Sequence, residues 1–211
     1  ALHDEFPNLY LKGFTGVEIT HFAKISGLSV EQVLRKLQQA GLQAIAGGGA
    51  EILSDRVRNE LCPNKATAAQ WLEVSRTAHK LGIKTNASML YGHIETLEER
   101  VDHLLTLRDL QDETGGIQTF ICFPFLPKHT ELGKTVQQTS MWDDLRTIAI
   151  SRLMLDNITN IKAYWVMLTV PVAQIALGFG ANDIDGTIHK ETILHDAGAS
   201  SPTALSEDNI I

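Results

Sequence analysis

Short β-rich runs alternate with longer helical patterns along the whole chain, recurring at roughly 35-residue spacing, and that alternation admits few folds. A strand, a helix and a second strand bring the chain back parallel to itself through a right-handed crossover. The pattern therefore predicts a parallel sheet covered by helices, either an open doubly wound sheet or a barrel. Strands are expected over residues 9–15, 43–46, 84–91, 118–123 and 162–168, with a candidate sixth near 183–188. Helices are expected from Ser29 to a stop at Gly41, along the Trp71, Val74, Ala78, Leu81 stripe to Gly82, and over 97–111, 142–157 and 170–179. Four of them open on a hydroxyl followed three residues later by an acceptor: Ser29 and Gln32, Thr67 and Gln70, Thr96 and Glu99, Ser140 and Asp143. Each such pair satisfies backbone donors left open at a helix start.

Polar and glycine-rich turns after successive strands favour a barrel, whose function sits at the C-terminal ends of its strands. A complete barrel takes about 250 residues, and this chain of 211 shows five βα units and a candidate sixth strand. Residues 1–6 read as the last turns of a helix. The expectation is an α/β fold, a partial TIM-like barrel made of the last five to six βα units, forming one domain over 1–211. Composition narrows the function. With 18 basic against 25 acidic side chains the net charge is -7, which argues against general nucleic-acid binding. No apolar stretch approaches the ~20 residues of a membrane span, and no basic leader opens the chain. Cys62 and Cys122, sixty positions apart, read as reduced thiols of a cytoplasmic protein.

Three strand ends carry residues with chemistry. Gly47-Gly48-Gly49-Ala50-Glu51 lets backbone approach a ligand and offers Glu51 to ribose hydroxyls, or it is a flexible turn. It is neither a dinucleotide fingerprint nor a phosphate loop. In Ser88-Met89-Leu90-Tyr91-Gly92-His93-Ile94-Glu95-Thr96, a tight turn with a carboxylate in the first helical turn accounts for Gly92 and Glu95 as well as binding does. Thr15, Glu18 and His21 are candidates for polar contacts or a general base at the barrel mouth, or members of a solvated loop. His79 and His103 lie within helical patterns and read as satisfied surface or boundary histidines rather than ligands. No His-Glu-x-x-His, Cys-x-x-Cys or acidic metal loop is present, so a metal site built wholly within this chain is not expected. The hydrolase elbow Gly-x-Ser-x-Gly is absent too.

These segments, in this order, resemble the C-terminal part of radical S-adenosylmethionine enzymes, in the branch of aminofutalosine synthase, dehypoxanthine futalosine cyclase and the deazaflavin-cofactor (FO) synthases. The carrying residues are Lys12-Gly13-Phe14-Thr15-Gly16-Val17-Glu18-Ile19, Gly47-Gly48-Gly49-Ala50-Glu51-Ile52-Leu53, Leu90-Tyr91-Gly92-His93-Ile94-Glu95-Thr96 and Leu110-Gln111-Asp112-Glu113-Thr114-Gly115-Gly116. Leu61-Cys62-Pro63-Asn64-Lys65, Arg76-Thr77-Ala78-His79 and Ile161-Lys162-Ala163-Tyr164-Trp165-Val166-Met167-Leu168 are most similar to the synthase member. The resemblance implies a TIM-like barrel holding a [4Fe–4S] cluster and S-adenosylmethionine, whose reductive cleavage gives a 5′-deoxyadenosyl radical. In that member the radical adds to the enolpyruvyl double bond of 3-[(1-carboxyvinyl)oxy]benzoate, and the adduct rearranges and loses its carboxyl group on the futalosine route to menaquinone.

By the same resemblance, Ser88-x-Leu90-x-Gly92-x-x-Glu95 is similar to the family's Gly-x-Ile-x-Gly-x-x-Glu strand, which assigns Leu90 to the adenine; Ser88 departs from the family glycine. Gly48 and Glu51 fall where related enzymes bind ribose, Phe123 and Pro124 where the base packs, and Thr15, Glu18 and His21 on the substrate side. No catalytic residue is assigned. The family's Cys-x3-Cys-x2-Cys motif and its Gly-Gly-Glu-like strand are absent. Both are expected in two barrel units upstream of Ala1, since two thiols cannot hold a cluster that needs three. This chain alone is then expected to be inactive, its parent to need a reductant protein and a small-molecule substrate, and the incomplete barrel to self-associate through its open edges. The sister reactions, or a non-catalytic half-barrel interaction module, are the alternatives.

Overall fold

A computed structural model of the chain describes residues 5–188 and 190–210. Six strands, β1 (Leu11–Thr15), β2 (Leu42–Ala46), β3 (Lys84–Tyr91), β4 (Ile117–Pro124), β5 (Asn160–Ala163) and β6 (Asp183–Ile184), form one sheet in the order 1-2-3-4-5-6. Every neighbouring pair is parallel. A doubly wound sheet reverses its strand order at a switch point, whereas a barrel wall keeps it. The sheet also curls. The ammonium of Lys12, on β1, is pushed down by burial and then by the charge of Lys162 on β5, with Asp185 and Asp183 opposing, so strands far apart in the order share one electrostatic neighbourhood. The fold is thus α/β, a partial TIM-like barrel.

The principal helices are α1 (Gly16–Ser26), α2 (Val30–Gln39), α3 (Asp55–Leu61), α4 (Ala68–Lys80), α5 (Leu97–Thr114), α6 (Met141–Met154), α7 (Trp165–Leu168) and α8 (Val170–Ala176). All four expected capping boxes form, at Ser29, Thr67, Thr96 and Ser140. The core lies between sheet and helices. Ala87, Met89 and Tyr91 of β3 and Phe120 and Cys122 of β4 pack with Leu104, Leu107, Leu110, Leu145 and Ile148 of α5 and α6. Strand alternation then turns Ser88, Leu90, Ile121 and Phe123 to the other face, the barrel interior.

Four expectations change. Residues 16–26 are helical rather than a loop: Thr15 caps α1 by accepting from the Glu18 N–H, and Gly16 and Ile19 are buried. Residues 55–61, too short to show a full apolar stripe, form α3, with Ser54 as cap and Val57 and Arg58 buried. The run expected as a strand over 162–168 leaves the sheet at Ala163 and turns into α7, because Trp165, Val166 and Leu168 are all buried, a spacing that suits a helix against the core. The sixth strand is confined to Asp183–Ile184, and Ile188 instead bridges antiparallel to Leu205. Of the helix end read at residues 1–6, residues 1–4 lie outside the described residues.

Candidate active site

The strand ends of β2, β3 and β4 meet at the mouth of the barrel. After β2 the chain runs through Gly47 to Leu53 with its carbonyls turned into the protein. Ser88 Oγ donates to the Gly47 carbonyl at 2.7 Å and Trp71 Nε1 to that of Gly48 at 3.4 Å. The Leu90 N–H donates to the Glu51 carbonyl at 2.8 Å, fastening the loop to β3. Glu51 itself sits at φ 47, a left-handed conformation that a non-glycine residue adopts only when its surroundings impose it. Its carboxylate pairs with Lys65 Nζ at 2.7 Å. Gly48 lies against β1, since a Cβ there would stand 3.3 Å from Thr15 Cγ2.

Leu90 and Phe123 are direct partners in the β3–β4 ladder, both half-buried. Together they make an apolar platform beside the Glu51 loop. Tyr164, just past β5, meets the Phe123 ring edge-on at 5.4 Å between centroids and extends that platform. Burial raises its hydroxyl to about 12, with Asp185 and Glu191 adding to the shift, so it stays a neutral donor. Pro124 pairs with Tyr91 and is buried, one position beyond the platform.

The turn after β3 is built from the sequence Gly92-His93-Ile94-Glu95. Gly92 takes φ 85, and a Cβ on it would meet Thr139 Cγ2 at 2.4 Å, so both backbone and space call for glycine. Glu95, its side chain fully buried, accepts from the Gly92 N–H at 2.6 Å and the His93 N–H at 2.8 Å, and Arg100 closes on it at 2.6 Å. Burial works against its charge, yet the bonds from the His93 side chain and from the Gly92 and His93 N–H groups hold its pKa at about 2. Every polar contact of Glu95 among the described residues is thus with the turn itself or with Arg100, through which it ties the turn to the start of α5.

Thr15 and Glu18 come together as a helix cap, with Thr15 Oγ1 donating to Glu18 Oε2 at 2.9 Å. His21, one turn further along α1, is exposed. Thr15 therefore borders the Gly48 loop, while Glu95 and His21 are separate from the Leu90–Phe123 platform and the Glu51 carboxylate. Sequence reasoning missed Arg58, Tyr164 and His103 as supports of this region. His103 Nδ1 accepts from the Leu53 N–H at 3.0 Å, and burial drives its pKa to about 3, leaving a neutral ring pinning the loop. A histidine between Asp102 and Leu104 inside a helix gave no signal of that. His79 joins Thr114 and Thr85 at 2.7 and 2.9 Å, with burial lowering its pKa to about 4, and serves packing.

An apolar strand-end platform fastened to a loop that carries a carboxylate fits a nucleoside, whose base needs a dry face and whose sugar offers hydroxyl donors. An iron–sulfur cluster is not matched in the same way. Among the described residues no three metal-ligating side chains converge, and Cys122 faces the helices with burial raising its thiol to about 12. No helix among the described residues is long and apolar enough to cross a membrane.

Known proteins match the chain over nearly all of its length. Residues 8–107 match the Radical SAM superfamily and residues 114–209 the CofH/MqnC C-terminal region. The chain is 50% identical to an aminodeoxyfutalosine synthase of Thermus thermophilus, over 98% of this chain and 56% of that protein. It is 43% identical to a 5-amino-6-(D-ribitylamino)uracil--L-tyrosine 4-hydroxyphenyl transferase of Methanosarcina barkeri, over 100% of this chain and 57% of that one. The chain spans little more than half the length of these relatives. Among solved structures it resembles HydG, a maturase of the [FeFe]-hydrogenase, with a TM-score of 0.62 over 82% of this chain and 39% of that one, at 15% identity, a likeness of fold. On the two matches that together run from residue 8 to residue 209, the chain belongs to the radical S-adenosylmethionine superfamily, in the branch with the CofH/MqnC type of C-terminal region.

Proposed function

We propose that the chain is the adenosyl- and substrate-binding part of an aminodeoxyfutalosine synthase, which joins the adenosyl group of S-adenosylmethionine to 3-[(1-carboxyvinyl)oxy]benzoate on the way to menaquinone. The observation that carries this reading is the Leu90–Phe123 platform fastened to the Glu51 loop by the Leu90 N–H on the Glu51 carbonyl, in a chain 50% identical to a protein of that name. Superfamily membership implies S-adenosylmethionine and a [4Fe–4S] cluster as cofactors. Together, when bound, they supply a 5′-deoxyadenosyl radical. The cluster's ligands are not among the described residues, and we assign them to two further βα units of the parent protein, together with the docking of its reductant.

The chain's own residues bind and orient. Leu90 and Phe123, with Tyr164 edge-on behind, exclude water from the base; Glu51 accepts from the ribose hydroxyls; Gly48, without a side chain, lets the sugar approach backbone. Pro124 closes the base side. Glu95 and Gly92 fix the β3 turn from which Leu90 projects. Thr15, at the lip beside Gly48, faces the substrate side, and Glu18 keeps its hydroxyl in place. His21 stands farther out on the same helix.

A second reading rests on the Methanosarcina barkeri transferase at 43% identity, which points to tyrosine and a ribitylaminouracil as substrates. One experiment separates the two. The full-length protein, reconstituted with iron and sulfide and reduced with dithionite, is given S-adenosylmethionine labelled with carbon-13 in the adenosyl group and the enolpyruvyl benzoate. Label incorporated into the aromatic product supports the synthase. Free labelled 5′-deoxyadenosine, formed only when tyrosine and the ribitylaminouracil replace the benzoate, overturns it in favour of the transferase.

A further inference from the structure

Arg58, on α3, is 3% exposed and carries a positive charge, yet no carboxylate lies within ion-pair distance of it among the described residues. All of its hydrogen bonds go to backbone. Nη1 donates to the Gly49 carbonyl at 3.2 Å and to that of Ala50, while Nε and Nη2 both reach the Ala66 carbonyl, Nε at 3.0 Å. A buried cation without a counter-ion is costly, so a guanidinium is an unexpected choice for a simple backbone tie. What it joins explains it. Gly49 and Ala50 precede Glu51, and Ala66 follows Lys65, the residue whose ammonium holds Glu51 Oε1 at 2.7 Å. One planar fork thus fixes the two backbones whose side chains then meet.

With the bonds from Ser88, Trp71 and Leu90 already described, the five successive carbonyls from Gly47 to Glu51 are all engaged. Glu51 Oε2 makes no hydrogen bond among the described residues and is left to accept from a ligand. We propose that Arg58 and Lys65 are positioning residues that aim Glu51 at a vicinal diol, the ribose of the adenosyl cofactor: Arg58 sets the left-handed backbone at Glu51, and Lys65 fixes its rotamer. The proposal rests on the reading of Glu51 as the ribose acceptor and adds how that acceptor is held. It also gives a role to the segment Leu61-Cys62-Pro63-Asn64-Lys65, which brings the lysine back over the loop.

The test compares two neutral nucleosides that differ by one hydroxyl, 5′-deoxyadenosine and 2′,5′-dideoxyadenosine, by equilibrium binding to the reconstituted full-length protein in the presence of methionine. The parent protein is expected to favour the ribose form by about tenfold or more, the usual worth of a hydrogen bond to a charged group. In Lys65→Met, at an exposed position, that preference falls below about threefold while affinity for the dideoxy form is unchanged; Lys65→Arg restores it, and Arg58→Lys behaves like Lys65→Met. Equal weakening of both nucleosides in the variants, or a preference untouched by Lys65→Met, overturns the positioning role. No preference in the parent protein overturns the ribose reading of Glu51 instead, and the proposal with it. Should Arg58→Lys fail to fold, the Lys65 pair decides.

Discussion

Tyr91 donates its hydroxyl to Asp144 Oδ1 across 2.7 Å, and the Arg100 guanidinium covers the same ring at 5.1 Å. The end of β3, which carries Leu90, is thereby fastened to α6 on one side and α5 on the other. Burial raises both the Tyr91 hydroxyl and the Asp144 carboxyl, so the pair depends on the hydrogen bonds it makes, the second being Thr139 Oγ1 on Asp144 at 2.7 Å.

Tyr91→Phe removes one donor and leaves Asp144 with Thr139 alone. The expected loss is about 1–2 kcal/mol, the cost of a buried acceptor losing a partner. Thermal unfolding of the full-length protein should shift down by roughly 1–3 °C. An unchanged midpoint would show that the bond contributes nothing.

Glu95 makes acid stability legible. Its folded pKa, about 2, lies below the 4.5 of the free side chain, so its contribution is present above pH 4.5 and is lost as pH falls toward 2. After allowance for solvent screening we put that contribution at about 2 kcal/mol. Glu95→Gln should lower stability at pH 7 and flatten its decline between pH 4.5 and 2. A parallel decline in parent and variant would mean that other carboxylates govern acid unfolding.

Gly92 is held both by φ 85 and by the 2.4 Å approach of Thr139 Cγ2 to an added Cβ. Gly92→Ala should therefore destabilise by more than the ~1 kcal/mol of backbone strain alone. Pairing it with Thr139→Ser, which removes the clashing methyl and keeps the hydroxyl on Asp144, should recover part of the loss. Additive effects in the double variant would rule the clash out.

The two thiols should differ sharply. Cys62 is half-buried, while Cys122 is fully buried, bonded to Ser151 at 3.5 Å, with its pKa raised to about 12. Titration with a thiol reagent at pH 8 should modify Cys62 in the native protein and Cys122 only at the rate of unfolding. Fast modification of Cys122, read by peptide mass, would contradict this packing.

The order and type of most elements were legible because their signals are local. Residues 84–91 are a strand as read, and each of the four hydroxyl-acceptor pairs starts a helix. Helix α1 was hidden because Thr15 and Glu18 looked like loop polarity, and only the structure shows them closing on one another as a cap. The strand expected through Leu168 failed since an apolar run has the same appearance in a buried helix as in a buried strand. At the candidate site, Glu51, Leu90 and Phe123 were singled out by resemblance, and the structure brings them side by side: Leu90 pairs with Phe123, and its N–H meets the Glu51 carbonyl. Arg58 and His103 could not be named in advance, for each works by a bond to backbone some distance along the chain, and nothing in the residue type announces it.

In this sheet every strand lies beside the strand that precedes and follows it in the chain. Pairing never waits for a distant segment to arrive, and each loop that must close is only one βα unit long. A wall of this kind grows by accretion, each new unit docking on an edge already made, so a ribosome can hand it over one unit at a time.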